Sequence, residues 1–237
     1  GSGKTLAVHH LAASLGKNLA VVTADGGLRK RDLVGHRELI NGQTIMMAAE
    51  FAAAARNGDW GLIDEANMSE PDALSFINGM TDRPNQSGST FQLGGQTIEV
   101  HPDFRLFMTR NPGYVGTRQM NEALRDRFWS IEVPPLSGKA LAKMLKAHDV
   151  PQRYIPDCVW LVDTLYKAWE SNRISYQVSP RRALAAAQMA EATATKADDD
   201  IRHWLERSIL SKIDAKHDRD SLETTIAKAW QAMDYAK

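Results

Sequence analysis

The chain lacks several things, and each absence excludes something. It holds a single cysteine, Cys158, among 237 residues, so an intrachain disulfide framework is ruled out. No stretch approaches the roughly 18 consecutive apolar residues of a membrane-spanning helix, and no signal-peptide pattern is present. Neither sign of charge is in excess: 29 basic and 29 acidic side chains give a formal net charge of zero. That removes the global electrostatic case for a nucleic-acid or membrane partner. Only a local basic cluster, Arg29, Lys30, Arg31 and Arg37, keeps such a case open. The seven histidines show no paired metal-ligand spacing, and there are no internal repeats. Two N-x-S matches, at Asn67 and Asn85, matter only in a secreted protein and are taken as chance. These absences lead us to expect a cytoplasmic protein without a membrane segment.

What is present suits a packed globular protein. Hydrophobic residues make up 43% and charged residues 24%, ample for a core and ordinary for its surface. The length predicts one domain with a satellite, or two small domains.

Residues 4–15 read as a helix ended by Gly16, and Leu19 to Thr23 as a short apolar strand. Residues 25–47 are polar, glycine-bearing and expected to be irregular. Residues 48–56 read as a helix, Trp60 to Asp64 as a buried strand, and a further helix is expected to start at Ser69-Glu70-Pro71. Period-two alternation on both sides of Gly94-Gly95 predicts a hairpin over 90–100. Phe104 to Thr109 and Phe128 to Val133 are expected as the third and fourth core strands. Strands alternating with helices imply an α/β fold, a doubly wound and mostly parallel sheet. After Pro134-Pro135 the reading is helical throughout, with long helices at 156–170, 180–194, 199–213 and 219–234. The expected division is an α/β domain over 1–136 and an all-helical domain over 137–237.

The chain opens on Gly1-Ser2-Gly3-Lys4-Thr5, the last five positions of a phosphate-binding loop. Its glycines let backbone N–H groups close around phosphate oxygens at a helix N-terminus, where the dipole favours an anion. Gly1, Ser2, Gly3, Lys4, Thr5 and Leu6 are the candidate nucleotide-binding residues, Lys4 reaching the β/γ-phosphates and Thr5 binding Mg²⁺. A glycine loop capping a helix is the alternative. About 60 residues later, Gly61-Leu62-Ile63-Asp64-Glu65 is an apolar strand ending in two carboxylates, and open α/β sheets bind ligands at that edge. Asp64 would hold Mg²⁺ through water, and Glu65 would polarise the attacking water. An Asp opening the next helix is the alternative. Asn111, after the next strand, is a candidate to orient that water, or else a turn Asn before Pro112. Arg125 and Arg127 are candidates to reach a neighbouring chain's γ-phosphate, or else belong to a solvated helix end. Arg181, at a helix start in the second domain, is a further candidate phosphate contact.

Five elements in this order and spacing resemble an AAA+ ATPase: Walker A, Walker B, sensor 1, arginine finger and sensor 2. The resemblance covers essentially the whole chain. Asp32 to Gly35 leading into 48–58 is similar to the helix-2 insert region of the MoxR and dynein/midasin-related group, and 89–103 to the hairpin before sensor 1 there. Asn111-Pro112-Gly113-Tyr114 with Leu124-Arg125-Asp126-Arg127-Phe128 most resembles CbbQ/NirQ/NorQ-like and CobS-like ATPases. The resemblance implies ATP and Mg²⁺, a homo-oligomer in the form of a hexameric ring, and remodelling or activation of a protein client, often with a von Willebrand A-domain partner. It also implies a strand before the phosphate loop that this sequence does not contain, so a piece of a longer product, binding ATP poorly when made alone, is expected.

Rivals are weighed on the same residues. Gln92-Leu93-Gly94-Gly95-Gln96 is similar to the signature stretch of ABC transporter ATPases, but it follows Asp64, whereas there it precedes the Walker B strand. A DNA-acting ring motor shares the hairpin, yet 90–100 contains no Lys or Arg with which to grip phosphates. A nucleotide-gated binding module stays open, with Glu65 arguing against it. Cys158 reads as a core thiol, and Ile45-Met46-Met47 as core, interface or a client-gripping surface. The choice of ATP over GTP is not legible.

Overall fold

The computed structural model describes residues 2–81, 88–93, 95–111, 117–193 and 200–235. They group into two compact units, Lys4–Glu132 and Val133–Lys237, with the first three residues assigned to the latter.

In the first unit, α1 (Lys4–Ser14) leads into β1 (Leu19–Thr23). The sequence Trp60-Gly-Leu-Ile-Asp64 has no polar residue until its end. It forms β4, buried along its first four positions, as a strand covered on both faces must be. β4 lies between β1 and β7 (Arg105–Met108), all parallel, in the order β1-β4-β7. The register pairs Thr23 with Asp64 and Ile63 with Met108, so the carboxyl ends of the three strands finish at one level.

Between β1 and β4, α3 (Glu50–Asn57) buries Phe51, Ala52, Ala54 and Ala55. Gly58 ends this helix in the left-handed conformation, φ 83°, its N–H returning to the Ala54 carbonyl, an end that glycine adopts without Cβ strain. Phe51 packs edge-to-face on Phe104, centroids 6.0 Å apart, and these rings join Leu33, Ile63, Ile77 and Phe91 in one core.

Three expectations are corrected. Residues 25–47 are not irregular: they form α2 (Lys30–Val34) and an antiparallel hairpin, β2 (Gly35–Ile40) with β3 (Gln43–Ala48). Its two-residue turn is Asn41-Gly42, with φ of 50° and 77°, the positive-φ pair of a type I′ turn. Instead of a helix from Ser69, the chain makes a 3₁₀ turn, Pro71–Leu74, and a short α4 (Ile77–Thr81). Residues 128–133 form no strand. Trp129 is 99% exposed and Ile131 84%, because alternation becomes a strand only where a partner edge is met, and this segment pairs with none among the described residues. The hairpin at 90–100 is present as β5 (Thr90–Leu93) and β6 (Gln96–Glu99). Gly94 of its turn lies outside the described residues.

In the second unit the described elements are helical: α6 (Gly138–Ala147), α7 (Ile155–Glu170), α8 (Arg181–Ala192), α9 (Ile201–Leu210) and α10 (Lys216–Tyr235). Leu141, Leu161, Leu165, Ala186, Leu205 and Ile226 meet in its core. Arg202 on α9 ties three helices together. It pairs with Asp157 of α7 and Asp234 of α10 and lies 4.8 Å over the Trp230 ring. The hydrogen bond it donates to Asp234 is the chief reason its guanidinium is held above the usual arginine range. Among the described residues no helix is long and apolar enough to cross a membrane.

Candidate active site

The site is built where α1 begins and where β4 and β7 end. Gly3 precedes α1 with φ 85°, and among the described residues a Cβ there would meet nothing within 4 Å. Lys4 and Thr5 open the helix, both half-buried. The Lys4 ammonium donates to Asn111 Oδ1 at 2.7 Å, and the Thr5 hydroxyl donates to Asp64 Oδ1 at 2.7 Å. Residues 59 and 107 positions apart in sequence are thus in direct contact.

The end of β4 and the turn after it are held by β7 and its extension. Thr109 N–H donates to the Ile63 carbonyl at 3.0 Å, and Ala66 N–H to the Thr109 carbonyl at 2.8 Å, carrying the ladder past its last regular pair. The Thr109 hydroxyl donates to Asp64 Oδ1 and accepts from the Glu65 N–H, the latter at 3.0 Å. Glu65 takes φ 56°, ψ 37°, a region non-glycine residues rarely occupy and one found often at functional sites. Its side chain is exposed. A 3₁₀ turn, Ala66–Met68, begins directly after it.

Of the sequence-predicted residues, Lys4, Thr5, Asp64 and Asn111 are brought into one hydrogen-bonded group, with Glu65 adjoining it in the chain. Ser2 and Gly3 precede that group, Leu6 points to solvent, 72% exposed, and Gly1 lies outside the described residues. Arg125 ends the short α5 (Glu122–Arg125), and Arg127 donates to the Ala123 carbonyl of that helix at 2.6 Å. Both are exposed. Arg181 begins α8 in the second unit, also exposed. Pro112-Gly113-Tyr114 and Asn85 lie outside the described residues.

Two residues escaped the sequence reading. Thr109 was visible only as the last residue of a strand. Asn67 was visible only as a chance N-x-S match, yet it is 5% exposed and bonded to Asn111.

The residue types fit a nucleotide with its metal. The Thr5 hydroxyl and Asp64 carboxylate place two hard oxygen donors side by side, the kind Mg²⁺ prefers. Lys4 supplies a cation beside the glycine turn.

A family model described as the AAA domain, dynein-related subfamily, matches residues 1–128. The chain belongs to this family. Its members are ATPase-type P-loop enzymes, and this AAA domain carries the α/β AAA+ fold, a parallel sheet followed by a helical region. Curated relatives include YojN of Bacillus subtilis, 29% identical over 221 residues, covering 90% of this chain and 70% of that protein. Another is SH1500 of Staphylococcus haemolyticus, 26% identical over 233 residues, covering 95% and 86%. A mutant of RuvB from Thermotoga maritima matches with TM-score 0.54 and 18% identity, over 87% of this chain and 57% of that one. A candidate ATPase from Cytophaga hutchinsonii matches with TM-score 0.50 and 17% identity, over 94% and 72%. At these identities the structural matches speak to fold alone.

Proposed function

We propose that this AAA domain hydrolyses ATP at an interface between copies of the chain, and that the cycle remodels or activates a protein client, as the MoxR-like and CbbQ/NirQ/NorQ-like resemblance implies. The observation that carries the reading is the pair of contacts Lys4–Asn111 and Thr5–Asp64, each at 2.7 Å. Three distant segments meet there with the cation, hydroxyl and carboxylate that phosphoryl transfer needs, since that chemistry is almost entirely positioning and charge stabilisation.

In this reading Lys4 binds the β/γ-phosphates, exchanging its contact with Asn111 for phosphate oxygens. Thr5 and Asp64 hold Mg²⁺, whose bound charge would neutralise that developing on the transferred group. Glu65 takes a proton from the attacking water, which Asn111 orients. Arg127 or Arg125, exposed at the end of α5, is presented to the next copy of a ring, and Arg181 contacts phosphates from the helical lid. The division into a nucleotide domain over 1–136 and a lid over 137–237 belongs to the same proposal, as does the hexamer. Residues 90–100, without Lys or Arg, favour a protein client over DNA.

Glu65→Gln in the full-length protein is the test. Turnover should disappear while nucleotide binding persists, and equal loss of both would remove Glu65 from its assigned role.

A further inference from the structure

Asn111 stands beyond the last regular pair of the β4–β7 ladder, where the main chain has no strand partner among the described residues. Its peptide groups are nonetheless satisfied. Asn67 Nδ2 donates to the Asn111 carbonyl at 3.1 Å, and Asn67 Oδ1 accepts from the Asn111 N–H at 3.2 Å. One side-chain amide thereby reproduces the paired donor and acceptor of a neighbouring strand. Asn67 is itself fixed: it is 5% exposed, sits in the 3₁₀ turn directly after Glu65, and its carbonyl accepts from Arg118 N–H at 2.8 Å. With the Asn111 main chain held in this way, the Asn111 side chain is left to meet Lys4.

We infer that Asn67 is a positioning residue: its two-point grip on the Asn111 main chain sets where the Asn111 amide stands relative to Lys4 and to the turn carrying Glu65. The inference rests on the hydrolytic reading above. A buried amide needs partners, but many would serve. Committing both ends to the main chain of a residue whose side chain also contacts Lys4 links the end of β4 to the end of β7 at the level where water would be oriented. Serine at this position is too short to span both groups. Aspartate keeps the acceptor but sets an anion against a carbonyl oxygen.

The test compares the full-length protein with Asn67→Ala, Asn111→Ala and the double variant, reading steady-state ATP hydrolysis, affinity for a fluorescent ATP analogue, and exchange of the Asn111 amide without nucleotide. Asn67→Ala should lower kcat by about 10- to 100-fold, the scale of a misplacement near 1 Å, with KM and analogue affinity changed less than about threefold. The Asn111 amide should exchange at least about tenfold faster while Leu62 and Phe107 amides keep their wild-type rates, which general destabilisation would not allow. In the double variant kcat should equal that of Asn111→Ala, since the effects pass through one side chain. Wild-type kcat in Asn67→Ala, multiplying losses in the double variant, or unchanged Asn111 exchange would each overturn the inference. Should Asn67→Ala not fold, Asn67→Ser, which reaches neither group as the amide does, replaces it with the same expected outcomes. A wild-type protein that hydrolyses no ATP defeats the hydrolytic reading instead, and the amide exchange then decides the role of Asn67 alone.

Discussion

Gly61 sits in the most buried strand of the first unit, and replacing it with alanine tests how that strand is packed. A Cβ on Gly61 would stand 2.7 Å from Phe51 Cε2 and 3.1 and 3.2 Å from two atoms of the Phe104 ring. Carbon atoms in contact prefer roughly 3.5–4.0 Å, so the nearest approach is too close by about 0.8 Å. The rings cannot simply swing aside: Phe51 is 1% exposed, Phe104 8%, and they pack edge-to-face on one another. An added methyl in such a place costs about 1–3 kcal/mol. In a unit of this size that corresponds to a fall in Tm of roughly 3–15 °C. Thermal unfolding followed by circular dichroism reads the loss. The cause is then isolated by adding Phe51→Leu. If the clash lies with Phe51, the double variant should be more stable than the sum of the single effects by at least about 0.5 kcal/mol. A Gly61→Ala protein melting within about 1 °C of wild type would refute the packing argument, and strict additivity would refute the assignment to Phe51.

Thr109→Val keeps the shape but removes the hydroxyl between Asp64 and the Glu65 N–H. Leaving that N–H unmet should cost about 1–3 kcal/mol, visible in denaturant unfolding, whereas Thr109→Ser should stay near wild type; a Val variant as stable as Ser contradicts this. Cys158, fully buried in the helical unit, has its thiol pushed up to about 12, first by burial and then by Asp157. Because the folded value lies above the unfolded one, the stability this group contributes is complete below about pH 8.5 and declines as pH rises towards 12. Thiol labelling at pH 8 should therefore proceed only as fast as unfolding, and rapid labelling of the native protein would contradict it.

Much of the fold could be read from local pattern. Trp60 to Asp64 is apolar until its last residue, and Thr90 to Glu99 alternates on both sides of a glycine turn; both are elements in the structure. The hairpin at 35–48 carried its own sign in Asn41-Gly42, but its strands are exposed along most of their length. They lack the apolar alternation that a buried face imposes. Residues 128–133 show the converse: alternation was present and, among the described residues, a partner edge was not, and no local pattern states where a strand will find one. The site divides likewise. The grouping of Lys4, Thr5, Asp64 and Asn111 was legible because the proposed phosphate chemistry calls for those residue types at strand and helix ends. Asn67 and Thr109 act through tertiary hydrogen bonds to other site residues, and their spacing carries no mark of it.

The central claim is that Lys4, Thr5, Asp64, Glu65 and Asn111 form one hydrolytic site. The most direct measurement is ATP affinity and single-turnover hydrolysis of wild type and Glu65→Gln in the full-length protein. Loss of a group that accepts a proton only during reaction should lower the single-turnover rate by about 100-fold or more while affinity stays within about threefold. A Glu65→Gln protein that hydrolyses bound ATP at the wild-type rate would contradict the account.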